Sequence, residues 1–355
     1  MKNDGKTPSE FAREERSADL TPMLRILLDG RTLSVEETTS AFESMMTGDV
    51  HHGEMGAFLA LLATRLPTPE ELEGAATVMR RHVTGVQSNV PSDRILDTAG
   101  TGGAPKTFNV STAAALVAAG SGAIVAKHGN RSRTGRGSAE ALQSMGINVD
   151  ADTSVQARCL EEAGICFCFA IHHHPATRHV MPVRKSMGVP TIFNLLGPLT
   201  NPAGAGRQLM GVWDGVYQRP VAEALGRLGT NRALVVHSDD GLDELSISAP
   251  STVVELNDGT ISTWRVTPEE AGLATADISS VTARDLDHAT VMMRAVLDGS
   301  EQGPPRDMTL LNAAAALLAS GVVSDIREGV QMAASSIDEG KATASLERLV
   351  AISNK

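Results

Sequence analysis

Between Ile95 and Gly137 the chain reads ILDTAGTGGAPKTFNVSTAAALVAAGSGAIVAKHGNRSRTGRG, and these residue types suit an anion. Glycines at 100, 102 and 103 let backbone N–H groups approach a phosphate closely. Asn109-Val110-Ser111-Thr112 then opens an alanine-rich segment whose exposed first-turn amides add donors and a partial positive charge. A second apolar run, Ala123 to Ala126, delivers Lys127-His128-Gly129-Asn130-Arg131-Ser132. Further on, Asp239, Asp240, Asp243 and Glu244 follow the apolar run that ends at His237. Carboxylates at a strand end suit a hard cation such as Mg²⁺, which keeps several waters and needs few protein ligands. Read alone, the same cluster is an acidic surface loop.

For these groups to act together, strands must present them at one edge. Strand, glycine turn and capped helix over 95–120, then a second strand over 123–126, give two neighbouring strand ends, and open parallel sheets bind ligands at their carboxyl edge. The glycine turn matches neither the P-loop, which needs Lys-Ser or Lys-Thr after its last glycine, nor G-x-G-x-x-G. A tight packing turn would use the same glycines, and the Lys/Asn/Arg cluster at the next strand end favours the anionic ligand.

The remaining chain divides by period. Met23, Leu24, Ile26, Leu27 and Leu28 form one apolar face, and Ser34 with Glu37 reads as a capping box opening a helix that buries Ala41, Phe42, Met45 and Met46. Glu54 to Leu66 and Pro69 to His82 complete a helical unit of roughly 70 residues. Past Pro91 strands and helices alternate, which predicts a mostly parallel sheet. Helices are expected at 138–145, 155–163, 221–228, 307–320 and 326–339, and strands at 147–149, 165–170, 209–213, 232–237 and 252–256. The segment 172–202 breaks that rhythm with polar residues, a helix over 181–187 and an apolar stretch over 191–199.

A chain of 355 residues, 42% apolar, can bury a large core and hold two domains. Its net charge of −11 argues against a nucleic-acid binder, which needs a basic face. Cys159, Cys166 and Cys168 have no framework spacing and read as packing in a reducing cytosol. The amino terminus lacks the apolar core of a signal peptide, and no later run reaches spanning length. A cytoplasmic protein without membrane contact is expected. Adjacent side chains diverge on an extended segment, so His172, His173 and His174 do not read as a metal tract.

GTGG, TFNVST and KHGNRS, in this order and spacing, resemble the anthranilate phosphoribosyltransferase family, and the likeness extends over nearly the whole chain after about residue 20. It implies transfer of the phosphoribosyl group of 5-phosphoribosyl 1-diphosphate to anthranilate in tryptophan biosynthesis, with Mg²⁺ as cofactor. It also implies an α/β fold of the nucleoside phosphorylase/phosphoribosyltransferase kind, with a small helical N-terminal domain and a larger domain whose mostly parallel central sheet is covered by helices. The expected domains are a flexible tail at 1–18, a helical domain at 19–90 joined by about 173–203, and a catalytic domain at 91–172 and 204–355. By the resemblance the helical domain makes a homodimer contact. The donor would be held by Gly100, Gly102, Gly103, Thr107, Asn109, Ser111, Thr112 and Lys127. Anthranilate would be held by Gly100, Asn130, His174 and Arg184, with Arg184 on its carboxylate; without the likeness Arg184 reads as an exposed helix arginine. The metal would be held by Ser111, Asp243 and Glu244. An aromatic amine is neutral at pH 7, so no general base is assigned.

The chain departs from the family pattern in its loops. Ala104 and Pro105 stand where Asp usually follows GTGG, the loops at 104–108 and 133–137 are each one residue short, and Ile171 replaces a common proline. Arg133 and Arg136 add positive charge, which leads us to expect one of them on the diphosphate. Other readings are a pyrimidine nucleoside phosphorylase, whose own lysine, serine and glycine motifs are missing, a transferase acting on another aromatic amine, and a non-catalytic nucleic-acid-binding paralogue.

Overall fold

The computed structural model describes residues 18–105, 107–132 and 135–355. It divides into two units, one running to Val83 with His174–Leu196, the other combining Thr84–His173 and Gly197–Lys355. The boundaries expected at 90, 173 and 203 therefore shift. Thr84 N–H donates to the His173 carbonyl at 2.8 Å and Val86 N–H to Pro202 at 3.0 Å. Asn201 Nδ2 reaches the Ala126 carbonyl at 2.8 Å, so 84–90 and 197–203 belong with the sheet. The expected tail at 1–18 lies, except for its last residue, outside the described residues.

The helical unit holds the helices Thr21–Leu28, Val35–Thr47, His52–Ala63, Pro69–Arg81 and Met181–Met187 and the single turn Phe193–Leu196. The capping box of Ser34 and Glu37 forms, and a second one joins Thr68 to Glu71. Glu71 is fully buried but well satisfied: it accepts from Leu33 N–H at 2.9 Å and from both terminal nitrogens of Arg65. A buried carboxylate persists only when paired in this way. Phe42 forms the centre of the core, edge-on to Phe58 at 6.2 Å and tilted against Phe193 at 5.4 Å.

The larger unit is built on a seven-stranded sheet in the order β3-β2-β1-β4-β5-β6-β7. Its strands are β1 Ile95–Gly100, β2 Ile124–Gly129, β3 Ile165–Phe169, β4 Arg207–Gly211, β5 Arg232–Ser238, β6 Ser251–Asn257 and β7 Thr260–Val266. The first five are parallel, and β6 and β7 extend the sheet antiparallel. Parallel strands are buried on both faces. β3 accordingly keeps all five residues of ICFCF inside rather than alternating. The helix Val110–Gly120 is nearly all buried because small alanines let neighbouring helices close in. A Cβ on Gly120 would meet Ala342 N at 2.8 Å.

Several expected elements differ. Residues 147–149 form no strand, although Ile147 and Val149 are buried; the segment is too short to join a ladder and turns instead. The helix expected over 155–163 is a helix Thr153–Arg158, capped by Asp152, that widens into a π-helical turn Cys159–Ala163. The fourth sheet strand starts two residues early, at Arg207. β7 and the helices Leu286–Leu297 and Lys341–Ser353 went unread because half-exposed elements carry a mixed pattern. Among the described residues no helix is long and apolar enough to cross a membrane.

Candidate active site

The chain leaves β1 toward β2 and β3 on one side, whereas β4 and β5 lie on the other. Where strand order reverses in this way, the carboxyl ends of the two central strands leave a crevice. Here those ends are Gly100 of β1 and Gly211 of β4, which are register partners. Both glycines are required by what lies over them. A Cβ on Gly211 would sit 1.7 Å from the Asp243 carbonyl oxygen, and one on Gly100 would sit 2.9 Å from Asp243 Oδ2. The acidic turn thus rests directly on the switch point of the sheet. The cleft below it is lined by Thr98, Gly100, Ser111, Asp243, Glu244 and Asn312, among others.

The turn is shaped by local chemistry. Gly241 adopts φ of +86°, a left-handed conformation that side chains disfavour, and reverses the chain after β5. Ser238 N–H then donates to the Leu242 carbonyl at 3.1 Å, and Ser238 Oγ accepts from Leu242 N–H at 3.2 Å. This places Glu244 at the start of the helix Val110–Gly120. Its carboxylate accepts Ser111 N–H at 3.1 Å and the Thr107 hydroxyl at 3.0 Å. The first-turn amide expected to face phosphate is therefore bonded to Glu244, as the helix dipole favours.

Lys127, at the carboxyl end of β2, reaches into the same place. Its ammonium donates to the Thr98 carbonyl at 2.6 Å and to Ser111 Oγ at 3.3 Å, and the residue is only 3% exposed. Burial lowers its pKa to about 8, while the charges of Asp97 and Glu244 work in the opposite direction. Asp97, buried in β1, is pushed up to about 6 by loss of solvent, opposed by hydrogen bonds from Asn201 and His128 N–H and by the Lys127 charge. Glu244 is pushed up to about 7, first by burial and then by Asp243 beside it; Thr107, Ser111 N–H and Lys127 oppose the shift. A buried cation beside the Asp243 and Glu244 carboxylates, with Lys127 and Glu244 both displaced from their ordinary pKa values, is the kind of arrangement that marks a candidate functional site.

Gly100, Thr107, Ser111, Lys127, Asp243 and Glu244 are thus brought together. Gly102 and Gly103 adopt φ of +66° and +100°, so their glycine identity is required by the turn. Asn109 is left-handed at φ +68° and makes no side-chain cap to the following helix; its Nδ2 donates to the Arg136 carbonyl at 3.2 Å, tying the two loops together. Arg136 turns one guanidinium nitrogen to the Ala283 carbonyl, so a diphosphate contact would compete with that bond. Arg133 lies outside the described residues. Thr112 is buried, and its hydroxyl has no partner among the described residues. Asn130 is exposed at the end of β2, its Oδ1 accepting Arg131 N–H at 2.8 Å. Ile171 is 65% exposed. His174 and Arg184 belong to the helical unit, where the Arg184 guanidinium stacks over Phe193 at 5.0 Å.

Sequence reasoning missed Asp97, Gly211, Trp213 and Asn312. A charge in the apolar run ILDTA and an amide within LNAAAALLA were the available signals for two of them. Trp213 packs against the glycine turn, its backbone N–H donating to Thr101 Oγ1 at 3.1 Å, its ring meeting Tyr217 at 4.6 Å and its Cβ lying 3.5 Å from where a Gly103 Cβ would be.

The donor set also suits Mg²⁺. Two carboxylates and a hydroxyl, those of Asp243, Glu244 and Ser111, are hard oxygen ligands, too few to enclose a cation by themselves. That combination fits a cation that keeps waters and shares its shell with substrate phosphates.

The helical unit and the parallel-sheet unit each match a glycosyl transferase family model, which makes the chain a glycosyltransferase of two-domain type. Residues 21–83 match the glycosyl transferase family helical bundle domain and residues 92–343 the glycosyl transferase family a/b domain. The chain is 44% identical over 95% of its length to anthranilate phosphoribosyltransferase of Xanthobacter autotrophicus, covering 97% of that relative. The crystal structure of anthranilate phosphoribosyltransferase from Thermus thermophilus superposes with a TM-score of 0.88 at 38% identity, over 94% of this chain and 99% of that one. The Saccharomyces cerevisiae enzyme in complex with PRPP and Mg superposes at 0.83 with 26% identity, over 94% and 98% of the two chains. The chain belongs to the anthranilate phosphoribosyltransferase family.

Proposed function

We propose that this protein transfers the phosphoribosyl group of 5-phosphoribosyl 1-diphosphate to the amine of anthranilate, with Mg²⁺, releasing diphosphate. The observation that carries this reading is the convergence of Lys127, Ser111 and Glu244 on the cleft that Asp243 closes above Gly100 and Gly211. The anthranilate nitrogen attacks the anomeric carbon as the carbon–oxygen bond to diphosphate breaks, and the extra amine proton passes to solvent. Positive charge builds on the ribose ring and negative charge on the leaving group. Alignment and stabilisation of the leaving group then supply most of the rate.

In this reading Gly102 and Gly103 offer backbone N–H groups to the donor, Thr107, Asn109 and Thr112 offer polar side chains, and Lys127 holds a positive charge on phosphate oxygens. Asp243, Glu244 and Ser111 hold the metal, which when bound would neutralise charge on the departing diphosphate. Ser111 N–H and the Thr107 hydroxyl fix the Glu244 carboxylate in orientation. Gly100, Asn130, His174 and Arg184 take the acceptor. Arg184→Ala should raise KM for anthranilate about tenfold or more, the worth of a charge-assisted hydrogen bond, and leave KM for the donor within about twofold; equal changes in both would remove Arg184 from the acceptor site.

A homodimer through the helical unit is part of the proposal. It is supported by Leu28, 70% exposed, and by a groove between His52–Ala57 and Pro182–Met187 within that unit. A cytoplasmic location is supported by the cysteine usage, since Cys159, Cys166 and Cys168 are all buried and their spacing fits no disulfide framework. The activity itself is tested by following loss of anthranilate fluorescence with donor present, with and without Mg²⁺. Loss that requires all three components supports the reading; no loss under any of these conditions overturns it.

A further inference from the structure

We infer that Asn312 is a positioning residue for the metal-binding pair, acting through Leu245, the residue directly after Glu244. This inference rests on the proposed Mg²⁺ role of Asp243 and Glu244. Asn312 lies within the helix Pro304–Ser320, where fourteen of seventeen residues are buried. Asparagine is a poor helix former, and a buried amide needs partners. Its partners are the backbone of the acidic turn. Oδ1 accepts Leu245 N–H at 3.0 Å, and Nδ2 donates to the Leu245 carbonyl at 2.8 Å and to its own helix at Met308 O, 2.9 Å. One side chain thus closes both polar groups of a single residue, as a neighbouring strand would. No helix-forming need explains an amide here, and replacing it would leave the Leu245 N–H and carbonyl buried without partners.

A second anchor ties the entry of the turn to the residues just past Leu245. Asp240 accepts hydroxyl hydrogens from Ser238, Ser246 and Ser248, and these bonds keep its pKa low despite burial. Asp243 and Glu244 therefore lie between two anchors. Asn312 is the one joined to the core helix, so it sets the height of the pair above Gly211. Loss of an outer anchor of a metal ligand typically costs about 10–100-fold in metal affinity.

The test is Asn312→Leu, of similar volume without polar atoms, beside Asn312→Asp, which keeps an acceptor for Leu245 N–H. Calorimetric titration of Mg²⁺ into protein saturated with 5-phosphoribosyl 1-diphosphate is expected to show affinity lowered about 10–100-fold in the Leu variant and less in the Asp variant. Excess Mg²⁺ should restore most of kcat, and KM for anthranilate should stay within about twofold. If folded Asn312→Leu binds Mg²⁺ within about twofold of wild type, or if kcat stays depressed at saturating Mg²⁺, the inference fails. Should the Leu variant not fold, the Asp variant decides alone, an unchanged affinity overturning the inference. Wild-type protein that shows no Mg²⁺ binding or dependence overturns the functional reading itself, whatever the variants do.

Discussion

Lys127→Met is expected to lower kcat/KM for the donor about 100–1000-fold, the cost of removing one preorganised charge from a transition state that develops negative charge on its leaving group. Methionine matches the length and apolar stem of lysine, so packing at the end of β2 is largely kept. What disappears is the ammonium that Thr98 O and Ser111 Oγ fix in the cleft. With it goes the counter-charge that opposes protonation of Asp97 and Glu244. Steady-state kinetics with both substrates varied checks the effect: the loss should fall on the donor and on kcat, with KM for anthranilate changed little. A folded variant with activity within about threefold of wild type would take Lys127 out of the reaction.

Gly211→Ala should be as damaging for a steric reason. The new methyl would lie 1.7 Å from the Asp243 carbonyl oxygen and 2.7 Å from its carbonyl carbon. Backbone atoms cannot rotate aside as a side-chain tip does, and the turn that carries them is anchored at Asp240 and Leu245. Either β4 bends or the acidic pair rises. Overpacking of this kind costs about 1–3 kcal/mol of stability, and a displacement of about 1 Å at a reacting centre can cost about 100-fold in rate. We expect a lowered melting temperature and a hundredfold or greater loss of transfer activity. Gly100→Ala should be milder, because its clash at 2.9 Å is with Asp243 Oδ2, the movable end of a side chain. Thermal melts and the fluorescence assay on both variants check the order; Gly100→Ala proving the worse of the two would refute the geometry.

Legibility in the sequence followed the range of the interactions. The capping box at Ser34 and Glu37, the glycine turn at 100–103 and Lys127 at a strand end are local features, and the parallel sheet follows from alternation of period. The pairing of Glu244 with Ser111 joins residues 133 positions apart, and that of Asn312 with Leu245 spans 67. No spacing rule reaches those distances, so the four carboxylates at 239–244 were read as a metal candidate from their place at a strand end, the pair Asp243 and Glu244 was singled out only through family resemblance, and Asn312 was not read at all. Gly211 was passed over because a glycine at a strand end has many uses; only the turn above it explains the choice. Asn109 was expected to hydrogen-bond the donor, and residue type could not show that its left-handed backbone turns the amide to the Arg136 carbonyl, another long-range contact. The boundary near 90 was misplaced because Thr84 and Val86 bond to segments about ninety or more residues later, which composition cannot reveal.

A crystal structure of this protein with 5-phosphoribosyl 1-diphosphate and Mg²⁺ bound tests the central claim most directly. The account predicts a metal about 2.1 Å from an Asp243 or Glu244 oxygen, with the same diphosphate in hydrogen-bond reach of Lys127 or the Gly102–Gly103 amides. Density for the diphosphate away from the ends of β1 and β4, or a metal that touches neither carboxylate, would contradict it.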